Sequence, residues 1–275
     1  MTVAIQGGLG SYSHIAAQTL FPNSLELIQC QSFQQTFDTL TSGQSRYAVI
    51  PFENSTHGSV NENYDLITQN NLHIINEIYL KINFHLIGLP GSTIGDIKNL
   101  YTHKVSILQI RKFLNQHPSI TTHVHSDNGR AVEHIKQLNQ KQNAAAASRL
   151  AAKIYNMQII QENIHDNSKN YTRFFVLSSK PEFHPNSNKT TLQFEVEHKP
   201  GSLVNVLQEF QKLDINLSKI ESRPILNTQW EYRFYIDFQA GLNQLQTQQV
   251  LTKINRFTKS IRILGTYPNG IYIET

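Results

Sequence analysis

The chain is poor in the residue types that mark the commonest special chemistries. Cys30 is the one cysteine among 275 residues, which excludes an internal disulfide and a thiolate metal cluster and fits a reducing compartment. Charged residues amount to only 16%, and lysines and arginines are scattered, with no basic run and no aromatic ladder beside one. The net charge of +4 and pI near 9.0 therefore do not point to nucleic acid, and they suit a small anionic substrate. No apolar stretch approaches membrane-span length, and Met1-Thr2-Val3-Ala4-Ile5-Gln6 has neither the basic segment nor the apolar run of a signal peptide. The expectation is a cytoplasmic protein with no membrane contact. Apolar residues at 39% supply ample core, which argues against disorder, and the length suggests two domains with room for one to be split.

Residues 3–5 form a short apolar strand that runs into Gly7-Gly8-Leu9-Gly10-Ser11-Tyr12-Ser13-His14 and then a helical pattern through Ala16, Ala17 and Leu20. Glycines at such a turn admit a ligand close to the backbone, and the first N–H groups of the helix suit an anion. A tight turn with a serine cap accounts for the same residues, and the full dinucleotide fingerprint is missing. Phe33, Phe37 and Leu40 lie at helical spacing, after which residues 47–51 read as a second buried strand. Beyond it, Glu53-Asn54-Ser55-Thr56-His57-Gly58-Ser59-Val60 crowds hydrogen-bonding side chains ahead of a helix carrying Tyr64 and Ile67. Ligands collect at the carboxyl ends of strands in open α/β sheets, so both loops are candidates for one crevice.

Residues 74–89 read as one long extended segment leaving this lobe, and residues 100–155 as a second lobe of alternating strands and helices. Amphipathic stretches span 107–114 and 131–138, and Ser148 caps a helix ending near Tyr155. Residues 157–160 return, followed by Asn170-Tyr171-Thr172-Arg173-Phe174-Phe175-Val176-Leu177, an apolar strand with a polar mouth. Residues 180–189 have linker composition. The remainder reads βαββαβ, a split ferredoxin-like pattern.

Five segments in this order carry a resemblance: Gly10-Ser11-Tyr12-Ser13-His14; Glu53-Asn54-Ser55 with Gly58-Ser59-Val60; Asn170-x-Thr172-Arg173-Phe174; Gly201-Ser202-Leu203-Val204; and Glu221-Ser222-Arg223-Pro224. Together they resemble the monofunctional prephenate dehydratases with a C-terminal ACT regulatory domain, over essentially the whole chain. No chorismate mutase helix is expected ahead of the strand at Val3. The resemblance implies a two-lobed α/β catalytic domain like the type II periplasmic binding proteins over residues 1–180, with lobe one at 1–76 and 157–180 and lobe two at 77–156. A linker at 181–189 and an α+β ferredoxin-like ACT domain at 190–275 complete the expectation. The chain departs from the family at Gly8, where proline is usual, and at His57, where an acidic residue is common. It departs again at Lys104-Val105 in place of Pro-Gln and at Asp127-Asn128-Gly129-Arg130 in place of a small-residue run.

The implied reaction is loss of carbon dioxide and water from prephenate to give phenylpyruvate. It gains an aromatic ring, so no metal or other cofactor is required, and what is needed is positioning plus a hydrogen-bond donor at the departing C4 hydroxyl. Thr172 is the candidate donor, with Arg173 as carboxylate clamp and Asn54 and Ser55 completing the catalytic set. Ser11, Ser13, Asn170 and Phe174 are candidate substrate contacts, with Glu53 bracing its loop from behind. Phenylalanine is the implied effector, at Gly201, Ser202, Leu203, Val204, Glu221, Ser222, Arg223 and Pro224 between paired ACT domains, in a homodimer or homotetramer. His123 and His125 share a strand face, but no third metal ligand is evident. Arogenate dehydratase is the neighbouring alternative, and a non-catalytic amino-acid sensor the alternative of another class.

Overall fold

Val3, Ala4 and Ile5 are fully buried at the centre of strand β1 (Thr2–Gln6), which pairs in parallel with β2 (Glu26–Cys30) on one side and β3 (Tyr47–Asn54) on the other. The computed structural model describes residues 1–23, 25–225 and 228–275. Helix α1 (Tyr12–Leu20) begins where Ser11 Oγ accepts from the His14 N–H, and α2 (Phe33–Thr41) where Ser32 Oγ accepts from Gln35. After β3, the two-residue β4 (Gly58–Ser59) folds back antiparallel on Glu53 and Asn54, and α3 (Asn61–Gln69) follows.

The segment expected as one long extended run is two strands, β5 (His73–Lys81) and β6 (His85–Gly88). Phe84 and Ile82 between them are buried and belong to the second lobe's core, so the apolar alternation continues while the sheet changes. The second lobe adds β7 (Asn99–His103), the short helices α4 (Lys104–Ile107) and α5 (Arg111–Gln116), β8 (Thr121–His125), α6 (Asn128–Leu138), β9 (Asn143–Ala147), α7 (Arg149–Tyr155) and β10 (Gln158–Gln161). Its sheet order is β10-β6-β9-β7-β8. Strand β9 is buried throughout, and the alanines at 144–147 let α6 and α7 pack closely against it. Asp127 and Ser148 cap those two helices through their side-chain oxygens.

The chain then re-enters the first sheet as β11 (Tyr171–Ser178), giving the order β16-β5-β11-β3-β1-β2, where β16 (Ile271–Ile273) pairs in parallel with β5 over Ile78–Leu80. Residues 1–70, 78–175 and 271–275 make one unit, and residues 71–77 and 176–270 the other. Residues 71–77 and the strand at 271–273 therefore fall on the opposite sides of the division from those the expected boundaries gave them.

In the second unit, β12 (Lys189–Val196), α8 (Ser202–Lys212), β13 (Leu217–Pro224), β14 (Tyr232–Phe238), α9 (Leu245–Ile254) and β15 (Thr258–Tyr267) follow the expected βαββαβ order. The antiparallel sheet runs β13-β14-β12-β15. Its core gathers Leu192, Phe194, Val206, Phe210, Ile236, Phe238, Val250 and Ile254. Among the described residues, no helix is long and apolar enough to cross a membrane.

Candidate active site

Alternation along β11 sorts its side chains. Thr172 and Phe174 face a cavity of about 280 Å³, while Arg173 and Phe175 turn to the other side of the sheet. The same cavity is lined by Ser11, Tyr12 and Ser13 at the start of α1, by Asn54 at the end of β3, and by His103, Ser106, Gln109, Asp127 and Asn128 from the second lobe. The glycine turn and the β3 loop thus do share one crevice.

The polarity of Thr172 is set by Asn54. Asn54 Oδ1 accepts from the backbone N–H groups of Thr56 and His57, both at 3.0 Å. Those two fixed donors decide which way the amide points. Its Nδ2 must then face Asn170 Oδ1 at 2.7 Å, the Tyr171 carbonyl at 3.2 Å and Thr172 Oγ1 at 3.0 Å. Thr172 accepts from Asn54, which leaves its own hydroxyl hydrogen free for the cavity.

Several expected contacts lie elsewhere. Arg173 is 3% exposed, 3.8 Å from Glu53 and stacked over Phe175 at 4.3 Å, and it is absent from the cavity wall because period-two alternation sends it away from Thr172. Glu53 faces Arg173 rather than substrate. Ser55 Oγ donates to the Lys169 carbonyl and accepts from the Tyr171 N–H, and Asn170 is buried with its Oδ1 bonded to Asn54 and Thr56. Both hold the mouth of β11 and neither lines the cavity.

Among the described residues that line the cavity there is no lysine or arginine; its ionisable members are Tyr12, His103 and Asp127. Burial raises the Tyr12 phenol well above its usual pKa, and its hydroxyl donates to the Asn83 carbonyl. Burial lowers the His103 imidazole, with the Asp127 charge opposing that shift. Asn128 is locked, its Oδ1 accepting from the Thr102 and Ser106 hydroxyls and the His103 N–H. Gln109 Nε2 sits 2.9 Å from His57 Nδ1 and 3.5 Å from Asn54 Oδ1, joining the second lobe to the loop that orients Thr172.

The second-lobe members were not named as site residues from the sequence. In the sequence, Asp127 and Asn128 stand out only as a departure from the family's small-residue run, which does not say that they meet a cavity, and Gln109 carries no signal at all. The departures at Gly8 and Arg130 explain each other, since a Cβ on residue 8 would lie 2.7 Å from Arg130 Cγ. Gly10 is required outright: its φ is +78°, and a Cβ there would lie 2.4 Å from Ala151 Cα.

Comparison with known proteins matches residues 3–182 to the family model described as "PDT: Prephenate dehydratase". The chain belongs to the prephenate dehydratase family. It is 35% identical over 268 residues to a bifunctional chorismate mutase/prephenate dehydratase of Buchnera aphidicola, covering 96% of this chain and 70% of that one. It is 36% identical over 283 residues to the chloroplastic arogenate dehydratase/prephenate dehydratase 1 of Arabidopsis thaliana, with 97% and 71% covered. Among solved structures, the prephenate dehydratase of Arthrobacter aurescens in complex with L-Phe superposes with a TM-score of 0.88 at 27% identity, covering 98% of this chain and 90% of that one. The enzyme is accordingly a decarboxylating lyase.

Proposed function

We propose that the enzyme converts prephenate to phenylpyruvate in the cleft between its two lobes, with the Thr172 hydroxyl as the donor to the leaving group. The observation that carries this reading is the 3.0 Å contact in which Asn54 Nδ2 donates to Thr172 Oγ1. In the reaction, the bond from ring C1 to its carboxylate breaks and releases carbon dioxide. The electron pair completes the aromatic ring, and the C4–O bond breaks with the oxygen leaving as hydroxide, which takes up a proton and departs as water. Charge develops on that oxygen, where a positioned donor stabilises it. Threonine is too weak an acid to surrender its proton outright, so it acts by hydrogen bond or relay.

The carboxylates are held without a guanidinium on the wall. The first turns of α1 and α6 carry the backbone N–H groups of Tyr12, Ser13 and Asn128 at the cavity wall, and helix N-termini favour anions. The Ser11 and Ser13 hydroxyls add donors, and Phe33, Phe84 and Phe174 give the ring an apolar bed. Thr172→Val and Thr172→Ser decide the central point in a prephenate assay. The valine should lose on the order of a hundredfold or more in kcat with its thermal transition retained, while the serine keeps much of the rate. A valine variant at wild-type kcat removes Thr172 from the mechanism.

For the second unit the proposal is an ACT regulatory domain that binds phenylalanine. A hollow of about 140 Å³ beside the start of α8 is lined by Ser202 and Leu203 together with His198, Lys199, Tyr232 and Phe234. Gly201 opens that helix at φ +84°. Glu221–Pro224 lie within the edge strand β13, outside that hollow, and Ile220 on the same strand is 48% exposed. An edge strand with an exposed apolar side chain favours a homodimer or homotetramer built through this sheet. The working compartment proposed is the cytoplasm. Regulation requires that phenylalanine bind two arrangements of the enzyme unequally, and calorimetry with kinetics at millimolar phenylalanine tests it.

A further inference from the structure

Asp127 is the one carboxylate among the described residues that line the cavity, and it stands where the substrate's negative charge is to be held. A Cβ placed on Gly7 would lie 3.2 Å from Ser11 Oγ and 3.3 Å from Asp127 Cγ. The carboxylate and the hydroxyl proposed for anion binding therefore flank the same small gap. A buried carboxylate beside a bound anion weakens binding by like-charge repulsion, because little water is present to screen it. His103 and His125 both feel the Asp127 charge, but burial is the leading cause that pushes their pKa values down. At neutral pH neither ring supplies a counter-charge.

The counter-charge comes from behind the wall. Arg130, in the first turn of α6, answers both oxygens of Asp127: its N–H donates to Oδ1 at 2.9 Å, and its guanidinium Nε stands 3.4 Å from Oδ2. The cap needs only the backbone N–H of residue 130, which any residue but proline supplies. A cation in the first turn also opposes the helix dipole, so the stability of α6 does not account for the guanidinium. The side chain runs over Gly8, where a Cβ would lie 2.7 Å from Arg130 Cγ. The φ of Gly8 is not positive, so its backbone does not require glycine. What the missing side chain provides is the space that Arg130 occupies.

We infer that Arg130 is a positioning residue for substrate binding: acting through Asp127, it cancels the carboxylate's charge at the anion-holding end of the cleft, and Gly8 is the space it requires. The wall thereby keeps the Asp127 cap, which sets the start of α6 at the cavity, without repelling a substrate that carries two carboxylates. This rests on the proposed reading of the cleft as a prephenate site.

The test measures kcat and KM for prephenate with the full-length wild type, Arg130→Met, Arg130→Lys, and Arg130→Met combined with Asp127→Asn. Methionine keeps a stem over Gly8 and removes the charge, and asparagine keeps a capping oxygen while discharging residue 127. Arg130→Met should raise KM by about tenfold or more, the scale of one uncancelled charge several ångströms away, with kcat within about threefold. Arg130→Lys should stay within about threefold of the wild-type KM, and the double variant should return to that range. If Arg130→Met does not fold, Gly8→Ala, which displaces the same side chain, should raise KM in its place, and Asp127→Asn should again restore it. A single variant with wild-type KM overturns the inference. A double variant whose KM stays as high as that of the single does so too, since the loss is then not the charge of Asp127 and Arg130 is merely structural. A wild type without turnover on prephenate overturns the reading of the cleft and this inference together, whereas an active wild type with unmoved variants overturns the role of Arg130 alone.

Discussion

Asn54 Nδ2 and Thr172 Oγ1 lie 3.0 Å apart with the amide as donor, and the direction of that bond is fixed by the two backbone N–H groups on Asn54 Oδ1. Asn54→Asp keeps the acceptor for Thr56 and His57 and deletes the donor. The new carboxylate would draw the Thr172 hydrogen to itself and away from the cavity. The expected outcome is a fall in kcat on the order of a hundredfold, with a stability loss of about 1–3 kcal/mol from the acceptors left at Asn170 and Tyr171. Steady-state kinetics beside a urea titration separates the two. A variant with near wild-type kcat would show that the polarity of this bond is irrelevant.

Arg173 is a stability residue in this arrangement. It is buried against Phe175 and Glu53 and absent from the cavity. Arg173→Met should lower stability by about 2–3 kcal/mol, discounted from a fully buried pair because Glu53 keeps 35% of its side chain exposed. The surviving folded fraction should bind substrate with KM within about threefold of wild type. A KM raised a hundredfold with stability intact would restore the carboxylate-clamp role.

The contrast between Thr172 and Arg173 shows how far the sequence is legible. Period-two alternation alone assigns them to opposite faces of a strand, and the order of loops brings the glycine turn and the Asn54 segment to one crevice. Which face of β11 looks into that crevice depends on where β5 and β3 sit beside it, a matter of sheet order. Asp127 and Gln109 are hidden for a related reason: both belong to the second lobe, and only the packing of the lobes brings them to the cavity that Thr172 lines. The strand at 271–273 pairs with residues nearly two hundred positions earlier, and its pattern of apolar residues is too short to announce that partner.

In the second unit, Lys189 Nζ lies 2.8 Å from Glu77 Oε1, with side chains 3% and 0% exposed, and Gly270 N donates to the same oxygen. Lys189→Met strands a buried carboxylate and should cost about 3–5 kcal/mol. Glu77→Leu with Lys189→Met removes both charges and should recover most of that loss, leaving the Gly270 N–H as the residual deficit. Denaturant titrations of the single and double variants measure the coupling. Additive losses would mean that the pair contributes nothing as a pair.

Four imidazoles make the first unit sensitive to acid. His14, His85, His103 and His165 each accept a backbone N–H at Nδ1, from Gly10, Asn163, Val105 and Phe84 respectively, and that role requires the neutral ring. Burial is the leading cause that lowers the pKa of each below the usual value. The unfolded chain therefore binds protons more readily than the native one, and the free energy of unfolding rises with pH across the interval between the two pKa values. The contribution is fully present above the unfolded value of about 6.5 and is lost as pH falls from there toward the lowered folded values. The urea midpoint should accordingly hold from pH 8 to about 7 and fall steadily from about pH 6.5 to 5. His14→Asn, which removes one titrating ring, should flatten the slope by up to one proton's worth. A midpoint that is level across that interval, or that rises on acidification, would show that these rings are not held neutral by the fold.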